Sequence, residues 1–241
     1  MKRAAEIMAV LGLILTAPAL LGAGKDDVKN RLTEVEAENG WKQIFDGRTL
    51  DGWGILGNKA GWAVEDGAIA CTVKGGQMIY SNDRYKDFML RGQFKTGPRV
   101  NSGIFVRWED LKDPVNTGME VQILDSYGRI KPDIHDCGSL YDIMPPSMDA
   151  VRPAGEWNDV EITCQGTIVR VVLNSQQIIE LDLSNWTTAG QNPDGTKNKF
   201  RRAYNTMVNE GHIGFQDHGG RVWYRNLRVK ALGPWSVPVH G

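Results

Sequence analysis

The chain has 241 residues, which is enough to bury a full core, and a β sandwich of this length is typically one domain. Its formal net charge of −1 and the lack of any basic run exclude the electrostatic signature of a nucleic-acid binder. Its 28 glycines and eight tryptophans favour turns and short strands over long helices.

The first 40 residues have the pattern of an export signal followed by a linker. Lys2 and Arg3 precede an apolar run over residues 7–21, and small residues follow. This pattern predicts a signal peptide over residues 1–23 and a periplasmic or secreted protein with no stable membrane insertion after cleavage; an uncleaved anchor is the alternative. Residues 24–40 are charged and are interpreted as a linker that contains a short helix.

Short alternating runs separated by Gly-rich turns predict one β domain over residues 41–232, followed by a tail at 233–241. The predicted strands lie within residues 61–64, 68–71, 78–80, 88–95, 101–108, 118–125, 159–164, 167–173, 178–181, 212–218 and 222–230. Residues 126–158 and 184–209 lack sustained periodicity and are predicted to be long loops; the first is expected to be functional. Many short strands and no long helix indicate an all-β sandwich.

Three cysteines allow at most one internal disulfide. Cys71 and Cys164 fall within predicted strands, so we expect buried free thiols there. Cys137 lies in a polar loop two residues after His135, and a metal ligand or a nucleophile is the alternative at that position.

Two predicted strands, 101–108 and 118–125, carry the polar side chains that suggest a site. Strict alternation places Trp108 on an apolar face of the first strand. If the two strands pair, the opposite face presents a carboxylate, two amides and a guanidinium from four residues: Asn101, Arg107, Glu120 and Gln122. Such a surface suits a polyol or a sugar.

Six segments occur in a distinctive order: 45–47 through 52–53 (Phe-Asp-Gly to Gly-Trp), 64–67 (Val-Glu-Asp-Gly), 101–104 (Asn-Ser-Gly-Ile), 120–125 (Glu-Val-Gln-Ile-Leu-Asp), 153–158 (Pro-Ala-Gly-Glu-Trp-Asn) and 214–219 (Gly-Phe-Gln-Asp-His-Gly). Together they resemble the 3-keto-disaccharide hydrolase domain family of the concanavalin A-like lectin/glucanase superfamily, over residues 41–232. The resemblance implies a jelly-roll sandwich of two curved antiparallel sheets. It also implies cleavage of disaccharides oxidised at C3, in exported bacterial proteins.

The resemblance also constrains the chemistry. Glucanases of this fold carry a Glu-x-Asp-x-Glu strand, whereas residues 120–124 here contain one acid, so the two-carboxylate mechanism is disfavoured. A single base is enough to remove the C2 proton of a 3-keto sugar, and Glu120 is the candidate. Arg107, His135 or His218 are candidates to hold the resulting oxyanion. The sequence specifies no cofactor, and a divalent metal on oxygen and imidazole ligands remains possible.

The predicted catalytic residues are therefore Glu120, Arg107 and His218. The predicted substrate-binding residues are Asn101, Gln122, Asp125, His135, Tyr141, Asp142 and Gln216, with Asp125 requiring a bulge to reach the polar face. Each has a structural alternative: a solvated strand face for Glu120, a surface ion pair for Arg107 and a structural hydrogen bond for His218. For the whole chain, the alternatives to a glycoside-cleaving enzyme are a lectin-like carbohydrate-binding domain and a structural domain with an inactive site.

Overall fold

The computed structural model describes residues 30–72, 77–207 and 209–233. The predicted signal peptide and most of the predicted tail lie outside the described residues, and the domain limits stay predictions. In the described part of the chain, no helix is long and apolar enough to cross a membrane.

Thirteen strands and two short α-helices are present in the described ranges. The strands are β1 Trp41–Gln43, β2 Trp53–Leu56, β3 Trp62–Glu65, β4 Ala68–Cys71, β5 Met78–Ser81, β6 Phe88–Thr96, β7 Asn101–Trp108, β8 Met119–Leu124, β9 Asn158–Gln165, β10 Ile168–Leu173, β11 Gln176–Asp182, β12 His212–Gln216 and β13 Val222–Ala231. The helices are α1 Glu34–Glu38 and α2 Pro114–Thr117. Single 3-10 turns lie at Lys59–Gly61, Leu183–Asn185 and Tyr204–Thr206.

The strands form two antiparallel sheets packed face to face, so the predicted all-β sandwich is confirmed. The eight-stranded sheet has the order β11-β10-β9-β6-β13-β4-β3, with β1 also pairing with β13. The five-stranded sheet has the order β2-β5-β12-β7-β8. Apolar residues of both inner faces form one core, in which the rings of Phe215 and Tyr224 stack with centroids 3.9 Å apart across the sandwich.

Local turn chemistry explains how neighbouring strands reverse. Asp66 and Gly67 join β3 to β4, both with positive φ, which is the conformation of a tight hairpin turn and the one that Asp-Gly favours.

The short helix expected between residues 24 and 40 is present as α1, and Thr33 caps it with Glu36 in a capping box. Asn30 is buried before it and exchanges hydrogen bonds with Asn226, so this segment is attached to β13.

A bulge in β7 changes the predicted facing of two residues. His212 pairs with Trp108 and Gly214 pairs with Phe105, so β7 contains one residue more than β12 over this stretch. Arg107 takes the left-handed conformation with φ +49°, and Gly211 allows the close approach because a Cβ there would lie 2.3 Å from the Arg107 carbonyl carbon. As a result Trp108 packs with Phe105, and Arg107 turns to the other side of the sheet.

The three cysteines are free and buried, as expected for Cys71 and Cys164. Burial raises the pKa of the Cys137 thiol to about 12. Because the thiolate is the reactive form, this position does not suit a nucleophile. Cys137 therefore has the environment of a core residue, 3 % exposed.

Candidate functional site

The outer face of the five-stranded sheet, meaning the side turned away from the eight-stranded sheet, carries the polar residues of β7 and β8. Ile104 and Val121 point into the core, so their neighbours Glu120 and Gln122 point outward. The predicted pairing of the two strands is confirmed: Phe105 lies opposite Glu120, and Gly103 lies opposite Gln122.

The Glu120 side chain lies flat over its neighbour Gly103. A Cβ at Gly103 would come 2.4 Å from Glu120 Oε1, so the missing side chain provides the space for the carboxylate. Glu120 is only 6 % exposed. The structural alternative of a freely solvated strand face therefore does not describe this carboxylate.

The first long loop extends the sheet at the edge of β8. The backbone N–H of Tyr141 donates to Glu120 O over 2.9 Å, and that of Gln122 donates to Ser139 O over 3.0 Å. Tyr141 therefore lies beside Glu120 on the outer face. The Gln122 side chain donates to His135 O over 3.2 Å, while its buried Oε1 accepts no hydrogen bond from the described residues.

Lys199, from the second long loop, covers the Glu120 carboxylate. Its Nζ lies 3.4 Å from Glu120 Oε2, and its side chain is 16 % exposed. The same ammonium lies 4.6 Å from the centroid of the Tyr141 ring, within cation–π range. The buried Glu120 carboxylate, the half-buried Lys199 ammonium and the half-buried Tyr141 ring thus form one cluster.

The electrostatics of Glu120 reflect two opposing effects. Burial raises the pKa of the Glu120 carboxyl above its usual value because it penalises the charged form. The charge of Lys199 and, to a smaller extent, that of His218 lower this pKa and offset part of the rise. The net effect is a Glu120 pKa above that of an exposed glutamate, which is the direction that favours a general base.

Arg107 does not belong to this cluster, contrary to the prediction. Its guanidinium is 2 % exposed and lies on the inner side of the sheet, 3.1 Å from the Asp87 carboxylate. It also donates to Lys86 O over 2.9 Å and to Gly166 O over 2.8 Å. The bulge in β7 is the physical reason that Arg107 faces inward. Arg107 forms a buried ion pair with Asp87, whereas the alternative named from the sequence was a surface ion pair.

Asp125 is also directed away from Glu120. Its carboxylate accepts the backbone N–H of Arg99 over 2.7 Å, and its own N–H donates to Val100 O over 2.9 Å. No bulge carries it to the outer face. Its contacts close the connection between the ends of β7 and β8.

His135 and Asp142 form a pair at the rim of the cluster. His135 Nε2 lies 3.1 Å from Asp142 Oδ1, and the His135 ring lies 4.6 Å from the Tyr141 ring. His135 is half exposed, at 50 % of its side chain. These two residues are connected to Glu120 through Tyr141 and do not contact it directly.

The remaining predicted residues lie on the other flank of Glu120. Asn101 and Gln216 are half-buried at the ends of β7 and β12. His218 lies two residues beyond the end of β12 and is exposed to solvent. Its charge lowers the pKa of Glu120. Over the described ranges, no group of three or more His, Cys, Asp or Glu side chains is arranged to hold a metal ion.

Residues 40–230 match the model of the 3-keto-alpha-glucoside-1,2-lyase-like domain. The chain belongs to this family. A relative from Bacteroides thetaiotaomicron, named 3-keto-disaccharide hydrolase, is 31 % identical over 231 residues, which cover 80 % of this chain and 79 % of the relative.

Two crystal structures from Parabacteroides distasonis ATCC 8503, of proteins provisionally named glycosyl hydrolases, have similar folds. The first is 31 % identical with a TM-score of 0.71 and covers 80 % of this chain and 99 % of its own. The second is 25 % identical with a TM-score of 0.72 and covers 86 % of this chain and 100 % of its own. The resemblance found in the sequence is thus confirmed.

In this member of the 3-keto-alpha-glucoside-1,2-lyase-like family, sequence reasoning missed Lys199. Nothing in the local pattern distinguishes it from Lys197 or from the other lysines of the chain. The only signal was indirect, since residues 184–209 form one of the two long loops, and such loops often carry function.

Proposed function

We propose that the protein is an exported enzyme that cleaves glycosidic bonds of 3-keto-glycosides or 3-keto-disaccharides, with Glu120 as the general base. Family membership and the name of the relative from Bacteroides thetaiotaomicron support the substrate class. The single observation that carries the assignment of the base is the buried Glu120 carboxylate, which lies over Gly103 and pairs with Lys199.

The chemistry proposed is elimination followed by addition of water. Glu120 takes the proton from C2, the C–H electron pair forms a C2=C3 bond, and the carbonyl pair moves onto the C3 oxygen. The enolate then re-forms the C3 ketone and a C1=C2 double bond, and the glycosidic C1–O bond breaks. The released glycosidic oxygen takes a proton from water. Water adds to C1, and a proton returns to C2. The sum is hydrolysis, and it needs one base and one group that stabilises the enolate.

A paired-substrate assay tests this proposal. The protein is incubated with a 3-keto-glucoside and with the same glucoside unoxidised, with and without chelator, and the released sugar is measured. Release only from the 3-keto compound is expected, because the ketone is what acidifies the C2 proton. In D₂O, elimination and hydration would place deuterium at C2 of the product at the rate of release, whereas direct hydrolysis would not. No release from any 3-keto-glycoside, together with retained glycan binding, would favour the lectin-like alternative.

Export is supported by the pattern of residues 1–23 alone. Expression in a bacterial host with an intact export pathway is expected to yield a mature chain that begins near residue 24. Sequencing the N-terminus of the recovered protein and fractionating the cell measure this directly. A full-length N-terminus in the membrane fraction would support the uncleaved anchor instead.

A further inference from the structure

We propose that Lys199 is a second catalytic group, whose ammonium stabilises the enolate oxygen formed when Glu120 takes the C2 proton. This inference rests on the function proposed above and deepens it. Its basis is the position of Lys199 Nζ, 3.4 Å from Glu120 Oε2 in a cluster that is largely removed from solvent.

The movement of charge in the reaction explains why an ammonium is suited to this position. Before proton transfer, the negative charge is on Glu120. Afterwards Glu120 is neutral, and the charge is on the oxygen at C3, the carbon next to the one that lost the proton. An ammonium beside Glu120 therefore lies near both places and stays close to the charge as it moves. Burial strengthens this interaction, because the surroundings are less polarisable than water.

The surroundings of Lys199 hold its ammonium in place. Tyr141 and Phe200 both present their rings to Nζ, at centroid distances of 4.6 and 5.4 Å. Phe200 is buried at 2 % exposure and packs against Tyr204 with centroids 4.4 Å apart. Tyr141 is also hydrogen-bonded to the backbone of Glu120. Tyr141 thus contacts the strand of the base through its backbone and the ammonium through its ring.

The buried side chain of Asn192 joins the two loops that carry these residues. Its Oδ1 accepts hydrogen bonds from Trp186 Nε1 over 2.9 Å and from Asn198 Nδ2 over 3.0 Å. Its Nδ2 donates to Asp142 O over 3.1 Å. The loop with Lys199 is therefore tied to the loop with Tyr141 by contacts that do not involve Glu120. Lys199 does not need its ion pair with Glu120 to keep this loop in place.

Kinetics of two Lys199 variants and one control test the proposal on a 3-keto-glucoside. Lys199→Met removes the charge, and we expect kcat to fall about 10²–10³-fold, the usual loss when one oxyanion-stabilising group is removed. Lys199→Arg keeps a cation and is expected to recover part of that loss. The control is Lys197→Met, since Lys197 is an exposed lysine in the same loop, and its kcat should be unchanged.

The pH profile supplies a readout that a merely structural lysine would not change. Lys199 lowers the pKa of Glu120, so its removal raises that pKa further. Because the base acts in its ionised form, the acid limb of kcat/KM should move to higher pH in Lys199→Met and remain in place in Lys197→Met.

The outcomes separate this inference from the proposed function. If the wild type releases no sugar from any 3-keto-glycoside, the proposed function fails. If the wild type is active, and the folded Lys199→Met variant has the kcat and the pH profile of the wild type, the proposed role of Lys199 is wrong and the proposed function stands. A rise in KM alone would also overturn it, because that result indicates that Lys199 binds the ground state and the transition state equally. Thermal unfolding checks each variant, and Lys199→Gln replaces Lys199→Met if the latter does not fold.

Discussion

Replacing Glu120 by glutamine is expected to lower kcat on a 3-keto-glucoside by about 10²–10⁴-fold, the range that a positioned general base contributes. The amide has the shape of the carboxylate but cannot take the C2 proton. Glu180→Gln is the matched control, since Glu180 is exposed on β11 of the other sheet and pairs there with Arg170. Steady-state kinetics of the two variants measure the difference, and undiminished turnover in Glu120→Gln would remove Glu120 from the mechanism.

The pH dependence of the wild type and the stability of the variant complete this test. Because burial raises the pKa of Glu120, the acid limb of kcat/KM should lie above the usual range of a glutamate. The raised pKa also means that ionised Glu120 is less favourable in the folded than in the unfolded chain. Its contribution to stability therefore falls as pH rises from the unfolded to the folded pKa. Glu120→Gln should then keep or increase the free energy of unfolding at pH 7, so a loss of turnover would not reflect unfolding.

Replacing Arg107 by methionine is expected to reduce the free energy of unfolding by about 3–5 kcal/mol, as when one partner of a buried ion pair is removed. The Asp87 carboxylate would lose its cation, and the carbonyl oxygens of Lys86 and Gly166 would lose a donor. Urea unfolding measures this effect. Turnover per folded molecule should change far less than in Glu120→Gln, because Arg107 lies on the inner side of the sheet.

Arg170→Met serves as the control for that experiment. Arg170 lies on the exposed side of β10 and pairs with the half-exposed Glu180, and pairs of this kind contribute at most about 1 kcal/mol. Equal effects of the two substitutions on stability would argue against the buried pair. If Arg107→Met lost turnover without losing stability, Arg107 would return to the list of catalytic candidates.

Eleven of the thirteen strands in the described residues were predictable because their information is local, whereas the short strands β1 and β2 were not predicted. Alternating apolar residues in β7 and β8, and the Asp-Gly turn between β3 and β4, specify extended segments and their reversal without reference to the rest of the chain. The same alternation placed Glu120 and Gln122 together on the outer face. The prediction from alternation was wrong for Arg107, because the extra residue in the β7 bulge turns the side chains that follow it to the opposite face of the sheet.

The positions of most strands along the chain, the single acid at Glu120 and the family were therefore determined by the sequence itself, since periodicity and ordered motifs are properties of neighbouring residues. Only the tertiary structure decided that Glu120 is buried and that Lys199 is its partner, 79 positions away along the chain. The local sequence of a loop without periodicity does not indicate where the loop packs. Its position follows from contacts such as those of Asn192 with Trp186 and Asp142, which exist only when the two loops meet.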